Sequence, residues 1–388
     1  MVGSKPSVYF LKIISMKIGI LTLPLHTNYG GILQAYALQT VLERMGHEVT
    51  LIDKGWPPNV SFWGYIKRII KESIKKVIGR TNQRWHWIYF QNEEIEAEHQ
   101  LTFQFVKKYI HRKIQRSLYD MEDGQYDGFV VGSDQVWREQ HYHPIENAYL
   151  DFTQGWNVKR VAYAASFGTD DWEYSPIQTR NCSALLKKFN AVGVRESSGV
   201  LLCKKYLNSN AQYVLDPTLL LTPKDYIDNL NISDFKKSKG DFLVYILDMT
   251  DEKKKIVDYI SKKYHLIPFY VNSKCDDKLC ELKDRIQPPV EMWLRGFYDA
   301  KFVFTDSFHA CAFSINFNKP FLVFGNHERG MSRFVSLLTE FGLDNRLIDS
   351  YDEVKNRMVK KDINWQNVND ILEKNRVESV SFLKNSLK

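Results

Sequence analysis

Residues 302–333 read FVFTDSFHACAFSINFNKPFLVFGNHERGMSR, and in the apolar stretch that follows Asp306 and Ser307 one ionisable side chain, His309, stands alone. Asp306 and Ser307 are residue types that cap helix N-termini, so His309 is expected in the first turn of a helix starting beside them. The β-prone run 302–305 reads as a strand before that helix. The apolar run 321–324, after Asn318-Lys319-Pro320, reads as the next strand, which makes one βαβ unit. His309 therefore belongs at the carboxyl end of a parallel strand, where open α/β sheets keep their ligand crevices. Backbone N–H groups and the positive end of the helix dipole make the same place receptive to phosphate or carboxylate. The competing reading is a core histidine hydrogen-bonded to backbone.

Three more positions carry groups with chemistry. Arg195 follows the short apolar run 191–194 at the head of a helix. A guanidinium there suits bidentate capture of carboxylate or phosphate; the alternative is a surface ion pair. Asp134, in Ser133-Asp134-Gln135 after the strand expected at 126–132, is either a ligand or base, or the cap of a following helix. The loop PLHTNYGG at 24–31 lacks GxGxxG spacing, so it is not a dinucleotide fingerprint. Asn28, Gly30 and Gly31 either let backbone approach a ligand at a helix N-terminus or only turn the chain.

The elements that must position these groups follow from period and breakers. Residues 17–23 read as a buried parallel strand, 32–45 as a helix and 48–53 as the next strand. Further strands are expected at 126–132, 160–166, 191–194 and 213–216, each closing on polar residues whose ends should converge on one crevice. The polar segment 222–240 reads as a lid or hinge. A second unit then starts with a strand at 242–247, a helix at 251–264 and a strand at 266–271. After a linker come a helix at 290–298, the βαβ unit and a helix at 332–341, ahead of a polar helical tail. The expected architecture is α/β: two Rossmann-like domains facing across a cleft, with the C-terminal helix packing back on the first. The expected bounds are an extension at 1–15, a first domain at 16–225 on the acceptor side, a second at 226–349 on the donor side, and a tail at 350–388.

The chain's 388 residues allow two such domains, and a 44% hydrophobic, 26% charged composition is that of a soluble globular protein. Net charge is +7 and the pI near 8.9. That balance suits anionic ligands or an anionic membrane surface, and no nucleic-acid partner is expected from it. The five cysteines, Cys182, Cys203, Cys275, Cys280 and Cys311, are odd in number and scattered. They form neither a zinc pattern nor a disulfide framework, so no metal is expected and a reducing cytoplasm is the simplest location. No apolar run reaches the roughly 18 residues of a membrane span. The leader lacks a cleavage-like site, and Met16 is read as the start of the domain.

Residues 62–80 place Trp63, Ile66, Ile69, Ile70, Ile74, Val77 and Ile78 at helical spacing. Lys67, Arg68, Lys71, Lys75, Lys76 and Arg80 cover the rest, and Trp85, Trp87, Tyr89 and Phe90 follow. This is either an interfacial helix on the inner face of the cytoplasmic membrane or a helix on the protein's own core with a solvated basic face.

NYGGILQAYAL after the first strand, GSDQVW near 134, VLDPTLLL near 216 and TDSFHA with a downstream Lys-Pro-Phe together resemble the polysaccharide pyruvyl transferase family. The resemblance runs from about residue 16 to 348 and implies a glycosyltransferase-B-type fold. It implies an enzyme that moves the enolpyruvyl carbons of phosphoenolpyruvate, a co-substrate with no further cofactor, onto sugar hydroxyls as a pyruvate ketal. The acceptor would be a cell-envelope or capsular polysaccharide precursor, which lipid linkage would connect to the basic helix. The family's Arg-Leu-His signature falls on Ser307, Phe308 and His309, so the arginine is missing here. Arg195, Arg329 or Arg333 would have to supply its charge, and Arg195 matches a second donor-touching arginine of the family. Expected donor contacts are Arg195, Ser307, Phe308, Arg329, Ser332 and Arg333. Expected acceptor or cleft contacts are Asn28, Tyr29, Gly30, Gln34, Asp134 and Gln135.

Ketal formation needs a proton donor to the methylene carbon and a cationic cradle for carboxylate and phosphate. His309 fits the first by type, and arginines with helix-end amides fit the second. The helix N-terminus should lower the imidazole pKa and a bound dianion should raise it. Two other readings stay open: a glycosyltransferase of the same fold using a nucleotide sugar, and a non-catalytic glycan- or lipid-binding protein.

Overall fold

The computed structural model describes residues 15–55, 91–273, 280–326, 330–356 and 363–388, the side chains of 91–96 and 356 excepted. The extension up to 14, the basic segment 62–80 with the aromatics to 90, Cys275 and Arg329 lie outside the described residues.

Two parallel sheets form the core. The first takes strands β1 (Lys17–Leu21), β2 (Glu48–Asp53), β3 (Arg112–Ile114), β4 (Gly128–Val131), β5 (Lys159–Ala165), β6 (Ala191–Val194) and β7 (Gln212–Tyr213) in the order β3-β2-β1-β4-β5-β6-β7. The second takes β8 (Phe242–Tyr245), β9 (Pro268–Phe269), β10 (Phe302–Thr305), β11 (Phe321–Phe324) and β12 (Leu347–Ile348) in the order β12-β11-β10-β8-β9. Central strands such as GFVV, FLVY and FVFT are buried along their whole length, because helices cover both faces of a parallel sheet and leave no polar side. The order reverses direction between β1 and β4 in one lobe and between β8 and β10 in the other. In open α/β sheets, ligands bind at the strand ends beside such switch points.

The helix expected at 32–45 begins earlier, at Tyr29–Arg44, because Asn28 caps it: its side chain accepts a hydrogen bond from the Gly31 N–H at 3.2 Å. β3 and the helix Gln91–Tyr109 were not expected, and the strand foreseen at 266–271 shrinks to two residues, Pro268–Phe269. The polar connector 222–240 is a packed element and not a lid. It folds into the helix Pro223–Asn229 with a Thr222/Asp225 capping box, and Tyr226, Leu230 and Ile232 are fully buried.

The tail contains helices Tyr351–Asn356 and Trp365–Ser386. The latter returns to the first lobe, where Ser379 Oγ accepts the Leu215 N–H at 3.0 Å and the Phe382 ring packs against Tyr163. This is the expected two-lobed α/β arrangement. Tyr29, at the head of the first long helix, is wholly buried on the ring of Trp293 from the other lobe, and its hydroxyl donates to the Pro288 carbonyl at 2.8 Å. It braces the lobes together and is not a wall of an open cleft.

Candidate active site

β10 ends at Thr305, and the helix Phe308–Asn316 starts three residues later with His309 in its first turn. Ser307 holds the N-cap position without a capping side-chain bond; its N–H is tied to Thr305 Oγ1 at 3.0 Å. Asp306 has a different task. Its carboxylate accepts the Leu247 and Asp248 N–H groups at 2.7 and 3.1 Å and pairs with the buried Lys253 ammonium at 2.7 Å. That pins the end of β10 to the loop leaving β8, the two strands at the switch point of this sheet.

His309 crosses to the first lobe. Its Nε2 lies 3.4 Å from Arg195 Nη1 and 3.7 Å from Asp216 Oδ2. Arg195 stands past the end of β6, Asp216 follows β7, and Ser133 and Asp134 follow β4, so three strand ends of one sheet meet a helix start of the other. Arg195 Nη1 donates to Asp216 Oδ2 at 2.7 Å and to Ser133 Oγ at 3.2 Å, and Ser133 Oγ donates to Asp216 Oδ2 at 2.7 Å. Asp216 Oδ1 accepts the Thr218 N–H and hydroxyl at 3.0 and 2.7 Å. Asp134 Oδ1 stands 3.8 Å from Arg195 Nη2. Phe308 lies between two cations, with Arg195 Cζ 4.5 Å and Arg333 Cζ 5.5 Å from its ring centroid.

Everything in this cluster is buried: the Arg195 side chain is 1% exposed, that of Asp216 0% and that of His309 7%. Burial lowers the His309 pKa. Asp216 and Asp134 pull it up, Arg195 and Arg333 push it down, and it settles at about 4, so the ring is neutral at neutral pH. The helix start was expected to lower it, but loss of water is the larger cause. Burial also works against the Asp216 charge, but His309 and Arg195 outweigh it and hold that carboxyl well below the usual range. For Arg195 burial is likewise outweighed, here by Asp216 and Asp134, and its pKa rises. Burial lowers Arg333 to about 10, with Arg195 adding to the effect. Two positive charges are thus held close together in a dry place, an arrangement suited to a small dianion.

Asp134 does not cap a helix. It sits at φ +78°, a strained conformation for a residue with a side chain, bridges to Ala165, and takes the Gln135 N–H on Oδ1 at 2.9 Å. Gln135 is buried beside it with Nε2 unpartnered, and Ser332 is buried with Oγ unpartnered. Asn28 reaches Asp134 Oδ2 through Nδ2 at 3.5 Å. Gln34 is fully buried, with Nε2 donating to Thr22 Oγ1 and the Gly31 carbonyl, both at 2.9 Å, which holds the loop and does not line a cleft. Gly30 is explained neither by a ligand nor by a turn. A Cβ there would overlap His309 Nδ1, so the bare Cα seats the imidazole of the other lobe.

Asp216, Ser133 and Glu196 were not singled out from sequence. Glu196 is buried, and its Oε1 accepts the Phe167 and Gly168 N–H groups at 2.7 and 3.2 Å. Burial raises its pKa, with Arg195 pulling the other way. The signal for Asp216 was its place as the polar last residue of the strand expected at 213–216, just before Pro217, which gave it no role of its own. Among the described residues no group of His, Cys, Asp or Glu is arranged to hold a metal ion, and no helix is long and apolar enough to cross a membrane.

Comparison with known proteins adds the following. No curated protein matches the chain. Among solved structures, UGT89C1 of Arabidopsis thaliana complexed with UDP-L-rhamnose aligns at TM-score 0.50 and 8% identity, over 96% of this chain and 99% of that one. The UDP-GlcNAc 2-epimerase of Methanocaldococcus jannaschii aligns at 0.48 and 14%, over 91% and 95%. A glycosyltransferase of Rickettsia africae ESF-5 aligns at 0.45 and 12%, over 97% and 95%. At such identities the likeness is one of fold, the GT-B arrangement. A family model described as polysaccharide pyruvyl transferase matches residues 28–328.

Proposed function

Because the chain belongs to the polysaccharide pyruvyl transferase family, we propose that this transferase moves the enolpyruvyl carbons of phosphoenolpyruvate onto a sugar of a cell-envelope or capsular polysaccharide precursor. The observation that carries the reading is the approach of His309 from one lobe to Arg195 from the other, 3.4 Å apart in a buried cluster that also holds the Arg333 guanidinium. Arg195 and Arg333 would grip the donor's carboxylate and phosphate. Arg333 then supplies the charge that Ser307, standing in the family's arginine position, does not.

The bonds balance as follows. His309 gives a proton to the methylene carbon, whose π pair becomes the new C–H bond, and the adjacent carbon turns electrophilic. A sugar hydroxyl adds to that carbon and its proton returns to the now neutral His309. A second hydroxyl of the same sugar then adds as the carbon–oxygen bond to phosphate breaks, closing the ketal and releasing inorganic phosphate with the second proton. A bound dianion beside Arg195 and Arg333 adds negative charge next to a ring that burial keeps neutral and favours its protonated form, so donor binding arms the acid.

The basic segment 62–80 favours a lipid-linked acceptor presented at an anionic membrane surface, and sedimentation with anionic vesicles tests that part separately. Incubation with phosphoenolpyruvate and extracted lipid-linked saccharides should release phosphate with a matching mass gain on the glycan. The His309→Gln protein should lose turnover by roughly 10²–10⁴. Affinity for a nucleoside diphosphate with none for phosphoenolpyruvate would instead favour a glycosyltransferase, and unchanged function in the His309 variant a binding protein.

A further inference from the structure

The carboxylate of Asp216 lies against both Arg195 and His309, the two groups that meet across the lobes. On Oδ2 it meets Arg195 Nη1 at 2.7 Å and Ser133 Oγ at 2.7 Å, and the His309 Nε2 lies 3.7 Å away, near enough to act as a counter-charge but beyond a hydrogen bond. Its other oxygen is fixed by Thr218 at the turn after β7, so only Oδ2 has a choice of partner. Arg195 is only part-satisfied: with its side chain 1% exposed, its Nε and Nη2 make no hydrogen bond. A buried guanidinium with two donor atoms that make no hydrogen bond, one of them only ion-paired to Asp134 at 3.8 Å, is set up to receive an acceptor that is not part of the protein.

We propose that Asp216 is a positioning residue whose carboxylate is shared between Arg195 and His309, so that an anion engaging Arg195 releases Asp216 to hold His309 in its protonated form. This rests on the pyruvyl-transfer reading above and adds to it the residue that links donor binding to the acid. The charges facing the ring from the elements packed on it are Arg195 past β6, Asp216 past β7, Asp134 past β4 and Arg333 on the helix Ser332–Glu340. The neighbouring helix Tyr29–Arg44 presents the bare Cα of Gly30. Without a ligand, two cations oppose two carboxylates around the ring, and Asp216 spends its charge on Arg195. An added dianion takes over Arg195, and the same carboxylate then favours the imidazolium. The proton goes from the ring to the donor's methylene carbon, and Asp216 stays a carboxylate throughout.

The test is a ¹⁵N-histidine NMR titration of the full chain with inorganic phosphate as probe, the His309 signal being assigned by its loss in His309→Gln. In the parent protein, saturating phosphate should raise the His309 pKa from about 4 towards neutrality. In Asp216→Asn the rise should be largely lost while phosphate binds at least as tightly, because Arg195 has lost its internal competitor. With phosphoenolpyruvate, this variant should show lower kcat, an unraised KM and a high-pH limb moved to lower pH. A merely structural role would weaken kcat and KM together and leave that limb in place.

Should Asp216→Asn fail to fold, Ser133→Ala tests the same carboxylate with the opposite sign. Losing the Ser133 donor strengthens the hold of Asp216 on Arg195, so phosphate should bind about two- to tenfold more weakly. An undiminished phosphate-linked rise in Asp216→Asn, or unchanged phosphate affinity in Ser133→Ala, overturns the proposal. A parent ring that ignores phosphate while phosphoenolpyruvate is turned over also overturns it, and spares the proposed function. The full phosphate response in a protein that never turns over phosphoenolpyruvate supports the charge relay and sinks the proposed function.

Discussion

The His309 ring stores a pH dependence that the fold itself must show, whatever the protein transfers. In the unfolded chain an imidazole titrates near ~6.5; in the folded protein burial holds this one at about 4. Between those values the unfolded chain binds the proton and the folded one does not, so stability falls as pH drops through that window. It is fully present above about 6.5 and the loss is complete below about 4, amounting to on the order of 3 kcal/mol for this ring. Asp216, depressed in the native state, adds its own acid sensitivity only below the ordinary carboxylate range. Urea unfolding at pH 7 and pH 4.5 should therefore show a smaller loss in His309→Gln than in the parent. Equal losses in the two would mean that the ring is not held neutral by its surroundings. The same neutrality makes the ligand-free ring a poor acid, so the proposed reaction would need a bound dianion before the histidine could donate.

At the scale of elements, Gly30 sets two effects against each other. It lies in the first turn of the helix Tyr29–Arg44, where replacing glycine by alanine ordinarily stabilises by about 1 kcal/mol. Here the added methyl would overlap His309 Nδ1, an over-packing whose usual cost is about 1–3 kcal/mol. Gly30→Ala should therefore come out destabilised, and it should displace the imidazole from Arg195 and depress turnover. A more stable variant in the denaturation curve would show that the ring does not sit on that Cα.

No reading of the local sequence could have supplied this. The strand–turn–helix around His309 was legible because apolar runs, breakers and capping residue types are local signals, and likewise Arg195 at a strand end. What was hidden depends on partners far away in the chain. Gly30 is a glycine because of a ring in the other lobe, and Asp216 before Pro217 reads only as the end of a strand until Arg195 and His309 are brought to it. Asp306 reads as a cap until Lys253 folds against it. β3, three residues with two basic side chains, has no pattern of its own and is a strand only because β2 pairs with it.

For the whole molecule the question is what keeps two sheets in register to within the reach of a hydrogen bond. Part of the answer is Arg376 on the returning helix Trp365–Ser386. Its Nε donates to the Leu219 carbonyl at 2.6 Å, and its Nη2 to the Leu221 carbonyl at 3.3 Å and to Asn316 Oδ1 at 2.8 Å. Asn316 in turn donates to the Thr218 and Leu221 carbonyls at 3.1 and 2.9 Å. The turn being gripped is the one that begins at Asp216, and Asn316 ends the helix that begins beside His309. One guanidinium from the tail thus ties the strand end of the first lobe to the helix of the second that carries His309.

Removing it in Arg376→Ala strands carbonyl acceptors that a charged donor satisfied, at a cost of about 2–3 kcal/mol. The protein should remain folded at room temperature, because the sheets and their cores are untouched. Turnover should fall by more than that loss explains, about tenfold or beyond. Reacting groups displaced by a fraction of an ångström lose orientation even when nothing near them has been changed. Arg376→Lys keeps the charge but can reach only part of the acceptor set, and should recover stability better than rate. Measuring the denaturation midpoint and phosphate release on the same preparations separates the two effects. An Arg376→Ala protein that loses stability yet releases phosphate at the parental rate would show that the spacing of Asp216 and His309 is set elsewhere, by the brace of Tyr29 on Trp293 and Pro288.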